Sequence, residues 1–114
     1  MSRIVIFMIL SAMLCSAEDT SWIKYVDDPN GFVSEKNAKG KSALIIELCR
    51  KIIETEYGSK IDAEFLISEQ DWGFQVNFTK LKVKSGTEWV NERCGFGNIY
   101  IEKHLHRIKF DLGP

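Results

Sequence analysis

The sequence predicts an α+β fold, one amphipathic helix packed on a four- to five-stranded antiparallel sheet, and three observations carry that expectation. Apolar residues recur at helical spacing in one stretch only, residues 42–57. From residue 61 onward they alternate with polar ones, as they do along half-buried strands. The breaks between the alternating runs are short and carry glycine, as hairpin connections do. A chain of 114 residues with 45% hydrophobic and 27% charged residues has the composition of one globular domain.

Taken in chain order, the first element is an address rather than part of the fold. Arg3, the apolar run 4–14 and the small residues Cys15, Ser16 and Ala17 ahead of Glu18 and Asp19 have the three regions of a secretory signal peptide. A buried helix or a membrane anchor is the alternative, but the run is short against the roughly 20 residues that cross a bilayer. Cleavage after Ala17 leaves residues 18–114 as a single secreted, extracellular domain, expected to be a monomer. Residues 18–40 hold the turn Asp27-Asp28-Pro29-Asn30-Gly31 between Trp22, Ile23, Tyr25, Val26 and Phe32, Val33, which reads as a short strand or irregular packing.

The helix follows, with Leu44, Ile45, Leu48, Cys49, Ile52 and Ile53 on one face and Gly58 placed to stop it. Ile61, Ala63, Phe65 and Ile67 make the next strand, ending at Asp71-Trp72-Gly73. The strand after that carries Phe74, Val76 and Phe78 on one parity and Leu81 and Val83 on the other. A bulge near Thr79 and Lys80 would keep both sets on the helix. Ser85-Gly86 is a turn, Trp89 and Val90 sit in a third strand ending near Cys94, and Gly95-Phe96-Gly97-Asn98 is a further turn. Residues 99–110 then form a last strand.

Without the leader, Cys49 and Cys94 remain, an even count in an oxidising compartment, so a disulfide closing a loop of about 45 residues is expected. Two unrelated thiols, or one bonded to another molecule, are the alternatives. A catalytic role for Cys49 is disfavoured, because a thiolate is costly on the apolar stripe of a helix. Asn77-Phe78-Thr79 is an N-glycosylation acceptor, and alternation puts Asn77 with Gln75 and Thr79 on the face away from the helix.

This plan resembles the cystatin superfamily over roughly residues 42–110. The local matches are Glu54-Thr55-Glu56-Tyr57-Gly58 before a strand, a glycine-containing hairpin turn, and Asn77-Phe78-Thr79-Lys80-Leu81-Lys82-Val83. The resemblance implies occlusion of papain-like cysteine proteases by a wedge of an N-terminal glycine, a first hairpin of pattern Gln-x-Val-x-Gly and a second of pattern Pro-Trp. By position these fall on Gly31, on Glu69-Gln70-Asp71-Trp72-Gly73 and on the turn with Phe96. Only Gly73 keeps the first pattern, with Glu69 for Gln and Asp71 for Val, and Pro-Trp is absent. The paired disulfides that secreted cystatins carry in the later strands are missing too. The binding candidates are therefore Gly31, Asp71, Trp72, Gly73 and Phe96. Trp72 and Phe96 are expected either as exposed anchors at two tips on one edge or folded back into the protein.

Several chemistries find no residues to carry them. Formal charge is −1 and the lysines and arginines are scattered, which excludes a basic footprint for nucleic acid. His104 and His106 would share a strand face, but with only Glu102 and Asp111 nearby they fall short of a metal site, so no metal or cofactor is expected. One His-containing segment cannot supply the acid, base and phosphate-binding cation of a ribonuclease. With no phosphate loop, nucleophile elbow or His-Glu helix motif, the chain is not expected to be an enzyme. Two functions remain, a reversible protease inhibitor and a secreted interaction or effector protein on the same scaffold in a host-interaction, venom, reproductive or immune role. A small ligand carrier is a third class, although no polar groups converge on a pocket.

Overall fold

The computed structural model describes residues 20–93 and 95–112. The expected signal peptide at residues 1–17 and Cys94, the expected partner of Cys49, lie outside the described residues.

One helix, α1 (Lys41–Tyr57), lies on an antiparallel sheet, so the architecture is α+β as the periodicity predicts. Ile45, Ile46, Cys49 and Ile53 are its buried residues. Their spacing makes one stripe, and the stripe finds its partner in Phe65, Ile67, Phe78 and Leu81 of the sheet. Gly58 ends the helix in the left-handed conformation (φ 68°), and its N–H donates to Glu54 O at 2.8 Å, the glycine stop that the sequence announces. On one flank Arg50 pairs with Glu35 and its guanidinium sits 4.9 Å from the Phe65 ring centroid. That contact anchors the short helical turn Glu35–Asn37 to the helix.

The strands are β1 (Val33–Ser34), β2 (Ile61–Gln70), β3 (Gly73–Ser85), β4 (Glu88–Asn91), β5 (Gly97–Glu102) and β6 (Ile108–Leu112). They lie in the order β1-β2-β3-β5-β6, with β4 pairing β3, and every pairing is antiparallel. β4 and β5 share one edge of β3, β5 against Gly73 to Phe78 and β4 against Lys82 to Ser85. The division falls at a bulge. Asp62 faces Lys82 but Glu64 faces Thr79, so β3 spends one extra residue there, and Lys80 takes a positive φ of 56°. Phe78 and Leu81 are consequently both buried under the helix, as the parity change in the sequence requires.

Six strands replace the expected four or five for two reasons. Val33 and Ser34 form a two-residue edge strand on β2. The expected single strand 99–110 is two strands, β5 and β6, joined by a turn in which His104 (φ 64°) and Leu105 (φ 60°) both adopt the left-handed region. Leu105 is of a type that rarely enters that region, and no glycine, asparagine or proline marks the turn.

The outer face of the sheet departs further from expectation. Alternation assigns it to solvent, yet Gln75 is 5% exposed and Tyr100 is buried. The segment of residues 22–28 crosses this face. Val26 N donates to Gln75 Oε1 at 2.8 Å and Gln75 Nε2 donates to Val26 O at 3.4 Å, so one side-chain amide stands in for a neighbouring strand. Tyr25 meets Tyr100 edge to face at 5.3 Å, and Ile23 is buried. Asn77, expected to face open solvent as a glycan acceptor, is half-buried, with Nδ2 donating to Gly97 O and Asn98 Oδ1, each at 3.4 Å.

Two measurements check this packing. A Cβ at Gly73 (φ 148°) would lie 2.0 Å from Ile101 O, whereas one at Gly86 (φ 62°) would meet open space. Gly73→Ala is expected to cost more than about 3 kcal/mol in urea denaturation, and Gly86→Ala only about 1 kcal/mol of backbone strain. Burial raises the Tyr100 phenol to about 12, with Tyr25, Asp111 and Asp27 adding to it. Because the unfolded phenol ionises near 10, this contribution is whole below pH ~10 and is lost as pH rises through about 12. The denaturation midpoint is expected to fall between pH ~9.5 and ~11.5, and to fall less in Tyr100→Phe.

Candidate partner-binding edge

Three separated segments meet at the end of the sheet where β2 turns into β3. The first is the turn Asp71-Trp72 between those strands. The second is the turn of residues 103–107 between β5 and β6, closed by Glu102 N donating to Arg107 O at 2.8 Å. They are brought side by side because Gly73 pairs with Glu102, a contact so close that only a residue lacking Cβ fits. Lys103 N then donates to Trp72 O at 2.8 Å, binding one turn to the other through the backbone.

Trp22 supplies the third segment. Its ring meets Trp72 edge to face with centroids 5.8 Å apart, and the Arg107 guanidinium lies 5.2 Å from the Trp22 ring centroid. Arg107 is held in that position by a two-pronged bond to Glu102, Nε to Oε1 at 2.8 Å and Nη2 to Oε2 at 2.5 Å. The start of the crossing segment is thereby fixed to both turns.

The surface presented by this end is mixed. Asp71 is exposed, while Trp72 is half-buried, turned back onto Trp22, and its Nε1 is buried without a hydrogen-bond partner among the described residues. The apolar side chain at the tip is instead Leu105, 54% exposed between His104 and His106, whose rings are 5.9 Å apart. The two histidines sit in a turn rather than on the strand face that alternation implies. Among the described residues no group of three or more His, Cys, Asp or Glu is placed to hold a metal ion.

The sequence-derived candidates therefore divide. Asp71, Trp72 and Gly73 are at this end, Gly73 as a structural necessity beneath it. Gly31 lies in the turn Pro29–Gly31, where an added Cβ would sit 3.2 Å from Val26 and 3.8 Å from Ser68 Oγ, beside the crossing segment. Phe96 is 45% exposed but does not share the edge. It precedes Gly97, which pairs with Phe78, whereas Gly73 pairs with Glu102, so Phe96 lies about 20 Å back along the sheet. The run 95–98 passes the bulge and enters β5 at Gly97, with Gly95 O accepting from Leu81 N at 3.0 Å, and is not a second hairpin tip. The second hairpin is the turn of residues 103–107. Its sequence signal is the polar cluster Lys103, His104, His106 and Arg107 between Ile101 and Ile108.

Cys49 stands apart from this edge and is buried; as a thiol it is pushed by that burial up to about 12, so it would supply no thiolate at neutral pH. No helix among the described residues is long and apolar enough to cross a membrane. Trp22→Ala removes the ring between Trp72 and Arg107 and is expected to cost about 2 kcal/mol in urea denaturation. Trp89→Ala, on the exposed strand β4, is expected to change stability by under about 1 kcal/mol. The chain matches no family model, no curated protein and no solved structure.

Proposed function

We propose that the protein is a secreted binding protein of cystatin-like plan that acts by occlusion, its specific form being reversible inhibition of a papain-like cysteine protease. The observation that supports this reading is the backbone bond from Lys103 to Trp72, which makes two turns from distant parts of the chain into one projecting end. Entry of such an end into a cleft needs no covalent chemistry. Leu105 would be the apolar anchor, since it is the exposed large aliphatic residue at the tip and its turn is closed at its base by the Glu102–Arg107 bonds. Asp71 and the half-buried Trp72 would form the neighbouring contact.

A second reading, a secreted interaction or effector protein without inhibitory activity, is favoured by Asp71. Its carboxylate is exposed at the tip, and a narrow cleft that took it in without a partner would pay its desolvation. A carrier of apolar ligands is less well supported. The shallow concavity beside the helix C-terminus is lined by Lys51, Glu54, Thr55, Ser59 and Lys60, which offer an apolar molecule little wall.

Titration of the secreted protein against a panel of papain-like proteases tests the first reading. Reversible inhibition is expected, weakened about tenfold or more by Leu105→Asp, which buries a charge at the anchor. Gly73 is unsuitable for this purpose because its substitution disturbs the fold. Inhibition unchanged in Leu105→Asp removes the anchor assignment, and no inhibition at micromolar concentration selects the second reading. The secreted reading also carries a bond between Cys49 and Cys94. Protein denatured without reductant is then expected to show no titratable thiol, and two thiols would exclude the bond.

A further inference from the structure

We propose that β6 is the seam of a homodimer, in which two copies of the chain pair their β6 strands antiparallel about Phe110 and continue the sheet across a two-fold axis. Among the described residues β6 pairs with β5 alone, so its other edge presents backbone donors and acceptors to whatever lies beside it. Of the devices that keep strands apart, the edge has only charged side chains, Lys109 and Asp111. It has no proline, its register with β5 runs without a shift from Ile101↔Ile108 to Gly97↔Leu112, and its two charges are of opposite sign. At the opposite end of the sheet β1 offers only two residues.

The charges select one register. Phe110 faces the helix side, where its ring stacks on Phe78 at 6.0 Å and 17°. Lys109 and Asp111 occupy the other face, opposite Tyr100 and Asn98 of β5. If both helices are to lie on the same side of a continuous sheet, paired residues must come from the same face, so the axis must pass through a residue. An axis through Lys109 sets lysine against lysine, and one through Asp111 sets aspartate against aspartate. An axis through Phe110 sets Lys109 against Asp111 of the second copy twice, and the two Phe110 rings against each other. Turning the second copy over would instead bring its charged face beside Phe110. Lys109 already has an interaction within its own chain, and an ammonium group with three donors can serve a second acceptor.

The pairing covers Ile108, which is 42% exposed in the single chain. It also follows a symmetry in which each copy uses the same patch, so the assembly closes at two. Because the strands run antiparallel, the two turns of residues 103–107 point in opposite directions and both stay open. A dimer of this kind departs from the monomer expected at the outset.

Sedimentation velocity on the purified protein over about 1 to 300 micromolar tests the seam, with a concentration-dependent doubling of mass expected. Lys109→Glu and Asp111→Lys each place like charges opposite one another twice, and each is expected to weaken dimerisation about tenfold or more. The double variant carrying both changes restores opposite charges and is expected to dimerise within about threefold of the native chain. Unfolding curves of the single variants at low concentration show that they are folded. A native chain that stays monomeric across the range overturns the proposal, as do single variants that dimerise as the native chain does, or a double variant that fails to recover.

Discussion

The strand β3 has more to satisfy than any other part of the chain, and the bulge at Lys80 is what lets it do so. It must hold β2 along one edge, β5 and β4 in succession along the other, and the helix on its face. A regular strand of its sequence would bury Phe74, Val76 and Phe78 and turn Leu81 and Val83 outward. One extra residue reverses the parity, so Leu81 is buried and Val83 packs against the core. The same residue increases the local twist and separates the two partners on the shared edge. The core, the placing of β5 and hence the meeting of the two turns depend on this one irregularity.

Much of this was legible in the sequence because it is written in periodicity. The stripe from Ile45 to Ile53, the stop at Gly58, the alternation of Ile61, Phe65 and Ile67 and the parity change at Thr79 and Lys80 are local signals with local causes. The turn of residues 103–107 was hard to read, because it has no glycine, asparagine or proline and Leu105 takes a left-handed conformation that its side chain does not favour. Its position is imposed by Gly73 drawing β5 in and by the Lys103 to Trp72 bond, and neither is a property of the turn's own residues. That is also why Phe96 was assigned a tip it does not occupy. A Gly-x-Gly run is a better turn signal than His-Leu-His, but here Gly95 serves the close passage beside the bulge, where an added Cβ would lie 3.1 Å from Leu81 N.

The outer face shows the same limit. Alternation in β3 correctly separates Gln75 and Asn77 from the core side, but a polar face need not be a wet one. Covering it takes one segment of modest apolar content, Trp22, Ile23, Tyr25 and Val26, and a polar partner able to satisfy the segment's backbone. Gln75 is that partner, and a side-chain amide has both the donor and the acceptor the task requires. The sheet is therefore packed on both faces, by a helix on one and by an irregular segment on the other.

This arrangement bears on the order in which the chain can complete itself. Val26 and Gln75 are 49 residues apart, and Tyr25 rests on Tyr100 from a strand later still. A chain made from its N-terminus produces the covering segment first and the surface it covers last. Until β5 has paired with β3, Tyr25 has no Tyr100 to rest on and Trp22 has no Arg107 beside it. Complete closure of the outer face thus requires the finished sheet, so a segment near the start of the chain depends on strands near its end.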